Sequence, residues 1–251
     1  MELLRTGGPE LFAGDHKPPA ADTIVVVHMQ FDVLRVSVPA NTPTDQWDRI
    51  WRYVDELRID PATTAYLARN GFRVGIGRRS DWRGLRATLE EVGARSERVR
   101  RTVRSGFPLT LDLGPIENDQ SVFVFQPNGR LAGRTFEGGA RYLHIDYRVD
   151  SVQKTRTALR ITPEIFVQSS RRRWQTVDGE LRHKRSYEGQ VYHNLAVELA
   201  TGPGEFLVVG PTRNDDNRFV LGAVMFREEN AEQAWDTIVL ITPQPYRSAG
   251  G

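Results

Sequence analysis

At 251 residues the chain is long enough to bury a substantial core, as one large domain or two smaller ones. Its 34 basic residues nearly cancel 32 acidic ones, so the net charge of +2 sets up no whole-molecule field that would draw in nucleic acid, although the pI of 9.0 leans basic. The lack of cysteine excludes disulfides, thiolate nucleophiles and cysteine-ligated zinc, and no apolar run approaches the roughly 18 to 20 residues of a membrane-spanning helix.

Residues 1–22 carry Gly7, Gly8, Pro9, Gly14, Pro18 and Pro19 and read as a flexible leader without the long apolar core of a secretory signal. A signal preceding Met1 would place the protein in the periplasm or at the membrane-anchored cell envelope; without one the expectation is cytoplasmic. Thr23 to Val38 is β-branched enough for a strand, but its apolar positions switch from odd (Val25, Val27, Met29, Phe31, Val33) to even (Leu34, Val36, Val38). With a period of two, that switch predicts a β-bulge at 33/34, or two strands joined by a bend.

Thr42 as cap, Pro43 at the first helical position and Asp45 in the first turn predict a helix, with Trp47, Ile50, Trp51, Val54 and Leu57 as its core stripe. A second helix starts at Asp60-Pro61 and stops at Asn70-Gly71, and Phe72, Val74 and Ile76 then alternate as a strand. The third starts at Ser80, presents Trp82, Leu85, Leu89 and Val92 on one face and ends at Gly93. The order strand, helix, helix, strand, helix makes a small α/β unit over 23–94. Its Trp47, Trp51, Trp82 and Leu85 are expected to pack on a sheet containing Val25, Val27, Phe31 and Val74.

From Arg95 the period becomes two. Val122 to Phe125, the Pro127-Asn128-Gly129 turn, Arg130 to Phe136, a Gly138-Gly139 turn and Tyr142 to Val149 read as a meander with one wet face. Further strands are expected at Leu159 to Val167, Trp174 to Leu181, Tyr192 to Leu199, Phe206 to Val209, Leu221 to Phe226 and Ile238 to Ile241. The expected fold class is therefore α+β: the α/β unit, a mainly antiparallel β domain over 95–243, and a tail over 244–251.

Three motifs recur in order near the end of the chain: Gly204-Glu205-Phe206-Leu207-Val208-Val209-Gly210, then Leu221-Gly222-Ala223-Val224-Met225-Phe226, then Thr237 to Thr242-Pro243. With Leu159-Arg160-Ile161-Thr162-Pro163-Glu164-Ile165 upstream, this order resembles the C-terminal domain of the secretin family of bacterial outer-membrane secretion channels. Gly204 and Gly210 are read as turn formers, and Gly222 as a point of close backbone approach. The resemblance departs at the membrane-inserting lip, where only the polar stretch Arg213 to Phe219 stands. It implies a secretin-like structural protein of the bacterial envelope that docks to envelope or secretion partners, or to copies of itself, without enzymatic activity or a cofactor.

No chemical motif competes with that reading. His16, His28, His144, His183 and His193 show no metal-ligand spacing, and a hydrolase on an unrecognised site has no motif behind it. Asn214-Asp215-Asp216-Asn217 lacks the spaced ligands of an EF-hand and reads as a polar hairpin tip. Asp178-Gly179 predicts a two-residue hairpin turn that sets Val177 opposite Glu180, Trp174 opposite His183, Arg173 opposite Lys184 and Arg172 opposite Arg185. Like charges directly opposite destabilise a ladder. An arm of Arg171, Arg172, Arg173, Arg182, Lys184 and Arg185 with Trp174 suits an acidic polymer, a lipid head group, nucleic acid or an acidic partner. Alternatively it is an edge ribbon kept from aggregating by repulsion. The run from Arg95 to Arg104, with five arginines and one glutamate, poses the same choice.

Overall fold

A computed structural model describes residues 27–104, 106–149, 156–177, 180–213, 218–229 and 233–247, and it is mostly β. Strand β1 spans Val27–Pro39, followed by helix α1 (Thr44–Trp51), the two-residue strand β2 (Val54–Asp55), helix α2 (Pro61–Arg69), β3 (Phe72–Arg78), α3 (Trp82–Glu91) and β4 (Arg95–Arg104). Long strands come next: β5 (Leu109–Phe125), β6 (Leu131–Val149), β7 (Thr157–Val177) and β8 (Glu180–Val191). The chain then forms β9 (Val197–Thr201), β10 (Glu205–Pro211), the short helix α4 (Leu221–Phe226), β11 (Arg227–Glu229) and β12 (Ala234–Arg247).

Two antiparallel sheets result. The first runs β2-β3-β10-β12-β1-β4 with β11 also on β12; the second runs β5-β6-β7-β8 with β9 also on β7. The boundary expected at 94/95 does not separate the sheets, because β10 and β12 sit between β3 and β1 and hydrogen-bond to them. Sequence order conceals such pairing.

The phase switch in β1 has a different cause from the expected bulge. The strand pairs with β12 on one side and β4 on the other without any register shift. Met29, Phe31 and Val33 point at the second sheet and join its core residues Leu143, Ile145 and Ile161. Val36 and Val38 point the other way, onto Trp47, Ile50 and Trp51 of α1 and Leu85 and Leu89 of α3. One strand thus crosses beneath two layers that cover opposite faces at different points along its length. The same geometry moves the tryptophans: Trp47, Trp51 and Leu85 pack on Val36, Val208 and Ile238, whereas Phe31 and Val74 lie in the core between the sheets.

Alternation in the interleaved strands is regular. Leu207, Val209, Val239 and Ile241 face the second sheet, and Phe206, Val208, Ile238 and Leu240 face the helices. Such strands, buried on both faces, read as the continuous apolar runs seen in the sequence.

Several local expectations are corrected. Helix α1 begins at Thr44 with Pro43 in the cap position, and the Thr42 hydroxyl donates to Pro39 O at 2.7 Å instead of capping. The helix stops at Trp51, so Val54 reaches the core from an extended strand, and Leu57, in a 3-10 turn held by Asp55 Oδ1 on its own N–H, is 91% exposed. Gly138 and Gly139 make no hairpin; they lie within β6 at φ 79° and 146°, opposite the register shifts of β5 at Asp112/Pro115 and Ile116/Asp119. A Cβ at Gly139 would lie 2.5 Å from Phe166 O of the neighbouring strand, so the pair bends there rather than reversing. Gly204 does turn the chain, with φ 73°, but Gly210 lies inside β10. Tyr192 to Leu199 is interrupted by a 3-10 turn at His193–Leu195, and β12 continues through the expected tail as far as Arg247.

Leu221 to Phe226 is a helix, not a strand. Nearly continuous burial suits either form, and periodicity cannot choose between them over six residues. The close approach expected of Gly222 is present: its N–H donates to Asn70 O at 2.8 Å, and a Cβ there would lie 2.1 Å from Gly71 O. The second helix is as expected, with Asp60 Oδ1 accepting from Thr63 N at 2.9 Å, Pro61 in the first turn and Gly71 at φ 84° beyond its end.

Asn70 ties this junction to the second sheet. It is fully buried, donates to Tyr66 O and Phe125 O, and accepts from Phe125 N at 2.8 Å. Asn70→Ala removes all three bonds, and the expected loss of stability in urea unfolding is about 2 to 3 kcal/mol.

Candidate functional site

The most distinctive surface element is the ribbon formed by β7 and β8. β6 pairs with β7 only from Thr157 to Phe166, and β9 only from Thr157 to Ile161. Beyond Phe166, β8 is the only strand paired with β7 among the described residues. At about 3.4 Å per residue this two-stranded extension is roughly 35 Å long. Its backbone register sets Val177 opposite Glu180, Gln175 opposite Arg182, Trp174 opposite His183, Arg173 opposite Lys184 and Arg172 opposite Arg185, as the hairpin reading expected. A register shift between Gln168 and Arg172 separates this tip from the sheet, and Arg171 falls within it. The tip residues Asp178 and Gly179 lie outside the described residues, as do residues 1–26 and the polar stretch 214–217.

The second basic run is the edge strand β4. Its pairing with β1 puts Arg98 opposite Leu34, Arg100 opposite Asp32 and Arg104 opposite His28 on the helix-facing side, and Arg101 opposite Phe31 on the other. Arg98 Nε lies 3.2 Å from Asp32 Oδ1, and Arg95 stacks 4.5 Å over the ring of Trp235. The strand is exposed along most of its length.

Among the described residues no group of three His, Asp or Glu side chains could hold a metal ion. His144 is not solitary, however. Its Nε2 makes a short contact with Glu164 Oε2, and its Nδ1 lies 3.2 Å from Thr110 Oγ1. The three sit on β5, β6 and β7, on the face opposite the core residues Leu109, Ile145 and Ile165, and tie adjacent strands together. Sequence reading missed this row because Glu164 is diagonal to His144 and twenty residues away; the cross-strand register is the signal that finds it.

Two cations, Arg141 buried and Arg213 partly buried, are also invisible to periodicity. Arg141 on β6 is 5% exposed and donates to Gly114 O, Val224 O and Arg227 O, clamping the bend of β5 to the end of α4; burial lowers its pKa. Arg213 pairs with Asp236 at 3.0 Å, donates to Pro39 O and Thr42 O, and lies 4.2 Å over the Trp47 ring. Burial pushes the Asp236 carboxyl up, against the pull of Arg213 and Arg227. Both arginines hold loops to sheets.

No protein-family model matches the chain, and no curated protein does. Among solved structures it is similar to the secretin domain of InvG from the Salmonella SPI-1 injectisome, at 7% identity and a TM-score of 0.25, covering 90% of this chain and 64% of that one. It is also similar to the type IV competence pilus secretin PilQ of V. cholerae, at 9% identity and a TM-score of 0.24, covering 90% and 60%. A third similarity is to the Klebsiella pneumoniae type II secretion outer-membrane complex of PulD, PulS and PulC, at 11% identity, a TM-score of 0.18 and coverage of 89% and 40%. The chain spans less than two thirds of the length of each. No helix among the described residues is long and apolar enough to cross a membrane.

Proposed function

We propose that the chain is a non-enzymatic structural protein of the bacterial envelope, secretin-like in its strand motifs, that works by docking its sheet edges onto partner subunits or further copies of itself. The observation that carries this reading is the ribbon of β7 and β8 beyond Phe166, which has no third strand among the described residues. A two-stranded ribbon is at best marginally stable in water, because it has little to bury and leaves both outer edges unpaired. An added strand from a partner supplies the missing hydrogen bonds. The order of the motifs from Leu159 to Pro243 supports the family side of the reading.

Sedimentation velocity combined with hydrogen exchange tests it. The expected result is concentration-dependent association, with ribbon amides protected in the associated form alone. Thr176→Pro removes a ladder donor and should abolish association while leaving thermal unfolding of the core unchanged. A chain that stays monomeric at all concentrations with a fully protected ribbon would overturn self-docking.

The like-charged pairs Arg172/Arg185 and Arg173/Lys184 favour a second reading, in which an anion fills the space between them. Reversing Arg172 and Arg173 to Glu should then abolish binding to polyphosphate or anionic vesicles, leave stability equal or higher, and act most strongly at low salt. If nothing anionic binds at low salt, repulsion merely guards the edge.

A further inference from the structure

On the helix-facing side of the first sheet, α1 and α3 cover the upper part of the strands and then run out. Where they end, a cavity of about 610 Å³ opens between α3, the strand ends and the Gly202–Glu205 turn. Its walls are chiefly apolar: Leu34 and Leu240, which pair across β1 and β12, together with Trp82, Phe206, Pro203 and Pro243. Trp82 meets Phe206 edge to face at 6.2 Å, so two aromatic rings form one continuous wall.

The charges at the mouth do not cancel. Asp32 Oδ1 lies 3.2 Å from Arg98 Nε, and Glu205 is held by the Gly202 N–H at 2.8 Å and by Arg58, which it shares with Asp55, at 2.7 Å. Arg79 lines the same cavity, is exposed, and has no carboxylate partner among the described residues. Arg100 and Arg104 extend the row from Arg98 along β4 on the same side of the sheet, also without carboxylate partners among the described residues. Both acidic groups thus have an arginine beside them, and among the described residues the rim charges without an ion-pair partner are the guanidinium groups of Arg79, Arg100 and Arg104.

We propose that this cavity binds a small amphipathic anion: an extended acyl body against Trp82, Phe206, Leu34 and Leu240, with a carboxylate head on Arg79. The volume is that of an ordinary small-ligand pocket, and apolar walls with a few convergent polar groups are the usual composition of one. A guanidinium fork reads a carboxylate through two parallel hydrogen bonds, which fixes the orientation of the ligand as well as its charge. The proposal is independent of the ribbon, which lies at the far end of β7 from the Thr157 that borders the cavity.

Dodecanoate below its micelle concentration is the probe, with dodecanol as its uncharged counterpart, followed by titration calorimetry and by tryptophan fluorescence. The expected result is saturable one-to-one binding of dodecanoate, at least about tenfold weaker binding of dodecanol, and a similar loss of dodecanoate affinity in Arg79→Glu. Arg79 has an exposed side chain, so this variant should melt as the wild type does. Thr242→Trp, which fills the cavity from β12, should abolish binding of both probes. Equal binding of dodecanoate and dodecanol, failure of either to saturate, or unchanged affinity in Arg79→Glu would each overturn the proposal.

Discussion

Trp51→Ala is expected to lower the stability of the protein by about 3 to 5 kcal/mol in urea unfolding. The side chain is 2% exposed and closes the core between the helices and the first sheet, against Trp47 at 6.5 Å between rings and beside Gly210 of β10. Its outer face carries the Arg73 guanidinium at 4.5 Å, and Arg73 in turn pairs with Glu56 and Asp48. Removing the ring therefore empties a site walled by sheet, helix and ion pairs, none of which can collapse inward freely. The indole Nε1 is buried without a hydrogen-bond partner. Trp51→Phe should consequently cost less than half as much, because it keeps an aromatic ring and removes an unsatisfied donor. Equal losses in the two variants would show that the indole nitrogen matters in a way this packing does not contain.

Asp236→Ala should be of similar severity, about 3 to 5 kcal/mol, because it removes a buried carboxylate held 3.0 Å from the Arg213 guanidinium. The side chains are only 12% and 8% exposed, so solvent screens the pair weakly. Arg213 continues to Pro39 O and Thr42 O, so the loop between β1 and α1 should loosen with it. Arg213→Met combined with Asp236→Leu should lose much less than the sum of the single variants, since both charges of the pair are then removed together. Additive losses in that double-mutant cycle would mean that the two residues act separately.

Elements governed by near neighbours were legible in the sequence. Asp60-Pro61 and Asn70-Gly71 bracket the second helix because capping and left-handed termination are local chemistry. The Arg172/Arg185 register follows from a two-residue turn for the same reason. What failed to read was set by distant chain. The β1 phase switch looked like an inserted residue because a sequence does not say which layer covers which half of a strand. Leu221 to Phe226 looked like a strand because burial on every side erases periodicity. The His144–Glu164 contact, Arg141 and Arg213 depend on registers and turns brought together from far apart in the chain. The acyl-sized cavity arises where helices end over a sheet, an event that neither helix nor sheet encodes alone.

The position of β12 between β10 and β1 governs the order of assembly. β1 pairs with β4, which ends at residue 104, but its other partner β12 begins only at residue 234, and β3 likewise has β2 close by in the chain and β10 far from it. Loops of such length are slow to close, and until β10 and β12 are in place the first sheet lacks its two central strands. The first sheet is thus completed from its middle, and removing β12 would leave the β2–β3 and β1–β4 pairs unjoined.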